Sequence, residues 1–145
     1  MPISKYLREI MIKSVVAEAT APTQAYLALS TAPISADGQG IVEPVGNGYE
    51  RKIIGASSSS SNVQNFPTSA TYDPDTDTFS YTNNTEIHFN EATGSWGTIT
   101  HFAIFTSATG GSMLAYGQLA TPIQPVANSV PVIREGSLII TDSIS

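Results

Sequence analysis

From Gln24 onward the apolar residues recur in short runs with a period of two, each run ended by glycine, proline, asparagine or aspartate. That pattern commits the chain to antiparallel β-structure, because alternating runs of four to eight residues between turn formers bury one face per strand. The strongest run, Thr98 to Thr106, is apolar on both alternating faces, with Ile99, Ala103 and Phe105 on one and Phe102 and Ile104 on the other. It predicts a strand in the middle of a sheet. Gly110-Gly111 then turns the chain into Met113 to Leu119, predicting an antiparallel hairpin. Ala25-Tyr26-Leu27-Ala28-Leu29 reads as a second strand buried on both faces, and Tyr49 to Ile54 as a third. Tyr72 to Tyr81 predicts a hairpin with an acidic turn between aromatic flanks, and Glu86 to Asn90 a strand with Ile87 and Phe89 inward. At the end, Val130-Pro131-Val132-Ile133 is expected at a sheet edge because proline cannot donate to a ladder. The Arg134-Glu135-Gly136 corner separates it from a last strand, Leu138 to Thr141.

One segment follows a different period. Leu7, Ile10, Met11 and Val15 fall at three- and four-residue spacing, widened by Ile12 and Val16, with Lys5, Arg8, Glu9 and Lys13 on the wet side. The spacing predicts an amphipathic helix from Ser4, its N-cap, to about Ala19, ending before Ala21-Pro22. At 145 residues the chain fits one domain spanning residues 1–145, with a helix over 4–20 and a β-sandwich over 24–145. The fold class expected is all-β: an antiparallel β-sandwich or jelly-roll of about seven or eight short strands with one N-terminal amphipathic α-helix. Ile34 to Gly48 is a long turn-rich loop of the kind that is functional or pinned by a partner. The serine run Ser57 to Ser61 is expected to be a mobile loop, with Val63 and Phe66 anchoring the return to the core.

Composition narrows the function classes. Charged residues are 12% of the chain, about half the usual share, while serine and threonine make up roughly a quarter. Net charge is −6, which argues against a phosphate-tracking groove and so against nucleic acid as a partner. Three of the six basic residues, Lys5, Arg8 and Lys13, lie in the first thirteen positions. Cysteine is absent, ruling out a disulfide framework and a thiolate metal site. No apolar stretch approaches the roughly 18 residues of a membrane span, and Met1-Pro2-Ile3-Ser4-Lys5 lacks the layout of a secretory signal.

Residues that carry chemistry are present but not in catalytic arrangements. His88 and His101 each sit inside a strand pattern without HxH or HExxH spacing, and a structural or surface role is expected for both. Gly94-Ser95-Trp96-Gly97 has the wrong spacing for a nucleophile elbow. Asp73-Pro74-Asp75-Thr76-Asp77 alternates carboxylates like a calcium loop, but Thr78 stands where an EF-hand needs glycine and Asn84 where it needs the bidentate glutamate. An acidic solvated turn is the preferred reading. Glu86 and Glu91 could serve as paired carboxylates of a small hydrolase only if the fold brought them together. Gly46-Asn47-Gly48-Tyr49-Glu50-Arg51 lacks the third glycine and following helix of a phosphate cradle, so it reads as a turn launching a strand. Trp96 is either a sugar-stacking platform or core, and core is preferred. No catalytic, metal or cofactor site is assigned, and the chain is expected not to be an enzyme.

Several of these segments, in order, are similar to short tailed-bacteriophage structural proteins labelled tail fibre or tail proteins. The similarity rests on the helix Tyr6 to Ala19, on Ala25 to Pro33, on Gly46-Asn47-Gly48-Tyr49-Glu50-Arg51, and above all on Trp96-Gly97-Thr98-Ile99-Thr100-His101-Phe102-Ala103-Ile104-Phe105 followed by Gly110-Gly111-Ser112-Met113-Leu114-Ala115-Tyr116-Gly117-Gln118-Leu119. The Tyr72 to Tyr81 hairpin departs from that pattern as an insertion, and so does Pro131 to Gly136. The resemblance implies a virion component, made in the host bacterial cytoplasm, in the tail, the neck or collar, or associated with a fibre. It acts by self-assembly, with a trimer expected by analogy, and by contacts with other virion proteins. A capsid decoration or cement protein and a receptor- or carbohydrate-binding module using Trp96 are the alternatives.

Overall fold

The two runs that are apolar on both faces become neighbours at the centre of the largest sheet. In the computed structural model, which describes residues 2–19, 22–56, 65–66 and 70–141, strand β1 (Gln24–Ser30) lies antiparallel between β2 (Lys52–Ala56) and β6 (Ile99–Phe105), and β6 pairs in turn with β7 (Met113–Ile123). Leu27 faces Ile104 and Leu29 faces Phe102 across the β1–β6 ladder. A three-stranded antiparallel sheet runs β3 (Thr71–Asp73), β4 (Thr78–Thr82) and β9 (Ile139–Thr141), and β5 (Ile87–His88) and β8 (Val132–Ile133) form a two-stranded ribbon. The expected all-β antiparallel class with one leading helix holds. The described residues carry nine strands, against the seven or eight expected, divided among a four-stranded sheet, a three-stranded sheet and the ribbon.

The main core gathers Leu27, Leu29, Ile54, Ile99, Phe102, Ile104 and Leu114 from the large sheet with Ile87, Phe89, Trp96, Ile133 and Leu138 from the opposing layer. Leu27, Leu29, Ile87, Ile99 and Leu138 are fully buried, each contributing about 1.5–3 kcal/mol relative to exposure. The other face of the large sheet holds a smaller cluster of Ala28, Ala103, Phe105 and Met113, covered by Ile34 and Ile41. The loop from Ile34 to Gly48 is therefore pinned in part by its own sheet.

Several local expectations are corrected. The helix α1 spans only Lys5–Ser14, not 4–20. Ser4 caps it by accepting from Leu7 N–H at 3.1 Å. Glu18 N–H to the Lys13 carbonyl at 3.0 Å and Ala17 N–H to the Ser14 carbonyl at 3.1 Å close it, with Ala17 left-handed at φ 61°. Nothing from Met11 to Glu18 is better than exposed, so no packing sustains the helix further. β2 begins at Lys52, not Tyr49, because Tyr49 and Arg51 are drawn into side-chain contacts described below. Ile99 belongs with Phe102 and Ile104, not with Ala103 and Phe105. The ladder with β7 slips between Ile99 and His101, and alternation breaks there. The β6–β7 connection is longer than a two-residue turn: Thr106 N–H bonds the Ser112 carbonyl at 3.0 Å around Gly110 and Gly111, both with positive φ. The Tyr72–Tyr81 hairpin forms as expected, and Pro131 precedes an edge ribbon. Ser57 to Ser61 and Val63 lie outside the described residues, while Phe66 stacks on Tyr81 at 4.9 Å.

Candidate assembly interface

The Gly46–Arg51 segment, read from the sequence as a strand-launching turn, organises a polar site around Glu43 and Arg51. Gly46, Asn47 and Gly48 all take positive φ, reversing the chain so that Tyr49 turns inward. The Asn47 carbonyl accepts from Trp96 Nε1 at 2.8 Å and from Thr93 N–H at 2.9 Å, and Asn47 Nδ2 donates to the Ser95 carbonyl at 3.1 Å. The Tyr49 ring meets Trp96 edge-on at 5.2 Å. Its hydroxyl accepts from Leu29 N–H at 3.0 Å and donates to Glu43 Oε1 at 2.7 Å.

Arg51 completes the arrangement. Nε and Nη2 bind the two Glu43 oxygens at 2.9 and 2.8 Å. Nη1 donates to the carbonyls of Ser107 at 3.0 Å and Gly110 at 2.7 Å, and the guanidinium lies 4.0 Å from the centre of the Phe105 ring. Its side chain is 8% exposed and that of Glu43 25%. Burial acts to raise the Glu43 pKa, but the bonds from Arg51 and Tyr49 and the Arg51 charge outweigh it and hold the carboxyl below its ordinary value. Burial, followed by the adjoining Glu43, pushes the Tyr49 phenol far up, so it stays a donor. The Glu43 and Arg51 charges are matched: this is a clamp joining the long loop, the start of β2 and the β6–β7 turn. Glu43 was missed from the sequence; the available signal was a Glu–Arg pair in a chain with few charges.

The other chemistry-bearing residues stay apart. His88 is exposed and its Nε2 lies 3.1 Å from Glu86, while His101 Nδ1 meets Thr100 Oγ1 at 2.7 Å. Glu91 is exposed. Asp73 accepts from Asp75 N–H at 2.9 Å and Asp77 from the Tyr72 hydroxyl at 2.7 Å, which are the bonds of a turn. Among the described residues no three His, Asp or Glu side chains converge as metal ligands do. Trp96 is only 3% exposed, so it is core and offers no stacking platform.

What the molecule does present is apolar surface. Ile12, Val15 and Val16 of the leading segment are 74%, 83% and 68% exposed, Val45 of the long loop 92%, and Tyr72 and Phe79 of the β3–β4 hairpin 47% and 51%. The helix stripe is thus only half used: Leu7 packs against the main core, whereas Ile12 to Val16 face solvent. No helix of the described residues is long and apolar enough to cross a membrane.

The family model for podophage GP4 fiber I protein gp80 matches residues 2–141. The chain belongs to this phage fibre family. No curated protein matches it. Membership of the gp80 family points to a structural component of the phage virion that meets other virion proteins.

Proposed function

We propose that this chain is a subunit of the fibre apparatus of a tailed phage that acts by self-association and by docking onto neighbouring virion proteins, without catalysis. The observation that carries this reading is the exposure of large apolar side chains, foremost Ile12, Val15, Val16, Val45, Tyr72 and Phe79. Burying such side chains in an interface supplies affinity, while the surrounding turns supply shape. Closed cyclic symmetry is the commonest solution for identical subunits, and three copies is the arrangement to test first.

Gold-labelled antibody against the protein, viewed by electron microscopy on purified particles, is expected to decorate the fibres. Sedimentation velocity of the isolated chain at micromolar concentration is expected to show one discrete oligomer. Label on the capsid surface instead of the tail would replace this reading with that of a decoration protein, and particles without label would overturn it.

A further inference from the structure

The amino-terminal helix leaves one face bare and two opposite charges without an ion pair. Leu7 turns toward the main core and α1 packs on β7, while Arg8, Met11, Ile12 and Val15, spaced three and four residues apart, share another face. Val15, the C-cap, keeps helical backbone at φ −58° and ψ −34°, so it continues that stripe. Met11 is 46% exposed, Ile12 74% and Val15 83%, and Ile3, Met11 and Ile12 line an open groove of about 630 Å³ together with Arg8. The neighbouring charges are engaged: Lys13 is tied to Glu9 at 2.6 Å, and the Lys5 charge acts on Asp37. Arg8 and Glu18 enter no ion pair among the described residues. They flank the apolar stripe, Arg8 toward its amino end and Glu18 beyond its carboxyl end.

We propose that the α1 segments of two copies pack antiparallel across a twofold axis, with Ile12 against its counterpart at the axis, Met11 and Val15 closing the seam, and Arg8 of each copy paired with the partner's Glu18. A second copy is the occupant because it supplies both missing halves at once. It carries an apolar stripe of the same length and, once one helix is reversed, a carboxylate near Arg8 and a guanidinium near Glu18. Charge also chooses the direction. Parallel packing about a cyclic axis sets Arg8 beside Arg8 and Lys5 beside Lys5, which repels, whereas the antiparallel pair sets opposite charges at both ends of the seam. The Arg8 stem covers the partner's Val15 while its charged head stays at the wet rim. The contact is isologous, the same patch on both copies, and makes a dimer by itself; a ring of three copies draws its contacts from another face.

This inference rests on the self-association proposed above, and charge reversal separates the two. Arg8→Glu alone and Glu18→Arg alone each turn both rim pairs repulsive, and each is expected to weaken self-association by on the order of tenfold, with far-UV circular dichroism unchanged. Mixing the two variants in equal amounts is expected to restore it, since each finds its opposite in the other, and so is placing both substitutions in one chain. Because the chain has no cysteine, Ile12→Cys reports the seam directly as a disulfide dimer on oxidation. Val45→Cys, 92% exposed on the long loop, controls for chance collision and is expected to stay unlinked. Self-association indifferent to both reversals, with Ile12→Cys linking no faster than Val45→Cys, overturns the helix pair and leaves self-association standing. A chain that stays monomeric at every concentration overturns both.

Discussion

At the scale of single residues, the clamp around Arg51 illustrates how a chain poor in charge uses the few it has. Replacing Arg51 by Met strands Glu43 in a half-buried site and releases the carbonyls of Ser107 and Gly110. The cost is on the order of 2–3 kcal/mol, below that of a fully buried broken pair because Glu43 keeps some water, and urea denaturation at pH 7 measures it. The pH dependence follows from the direction of the Glu43 shift. A carboxyl whose folded pKa lies below its unfolded value of about 4.3 stabilises the protein above that value, and the stabilisation disappears as pH falls through the folded pKa. Wild type is therefore expected to lose stability on acidification below about pH 4.3, and Arg51→Met to lose less over the same interval. The glycines of the same turn separate two effects. Gly46 and Gly48 both have positive φ, but a Cβ on Gly46 meets nothing within 4 Å, while one on Gly48 comes 2.7 Å from the Glu91 carbonyl. Gly46→Ala should cost about 1 kcal/mol of backbone strain, and Gly48→Ala that plus about 1–3 kcal/mol of overpacking, read from the same titrations. The turn residues were visible in the sequence, as was Trp96 as core. Glu43 was not, because its partner lies eight positions away across a loop whose path no local period encodes.

Among elements, the strands were legible wherever alternation was unbroken, and failed where side chains were recruited elsewhere or pairing slipped. Hence the β3–β4 hairpin and the Phe102–Phe105 part of β6 match expectation, while β2 starts late and Ile99, at the start of β6, changes sides. The corner before β9 shows a feature that no periodicity could reveal. Asn83, buried at 2% exposure, donates to the carbonyls of Thr85 and Arg134 at 2.9 and 3.0 Å and accepts from Leu138 N–H at 2.9 Å. It bolts the end of β4 to the segment that leads into β9. Asn83→Ala leaves those three backbone groups without their partner, and a loss of about 1–3 kcal/mol for each one that water cannot reach should appear as a large drop in thermal midpoint. The helix is shorter than its apolar stripe because nothing packs on the residues from Met11 to Glu18. Its close at Ala17 offers a gain: Ala17→Gly relieves a left-handed alanine and should stabilise the protein by about 0.5–1 kcal/mol, measured as a raised denaturation midpoint.

Across the whole molecule the fold class could be read from turns and alternation, but the partition of the second layer could not, since which short strands pair depends on contacts far apart in the chain. Trp96, the single tryptophan, sits in the main core beside Tyr49 and Phe89 and so reports on all of it. Unfolding followed by its fluorescence is expected to coincide with loss of far-UV circular dichroism in one transition; separated transitions would show that the sheets melt independently. The ladder order has a further effect during synthesis. β1 waits for β6, some 70 residues later, before gaining its central neighbour, and the N-terminal segment is moored mainly on β7, through Ser4 to Leu114 and Met113, Ile3 beside Ala115 and the Pro2 carbonyl to Tyr116 N–H. A ribosome that stalls before those strands releases a fragment with no finished sheet and a helix held at its start by little more than the Lys5 N–H bond to the Ala36 carbonyl.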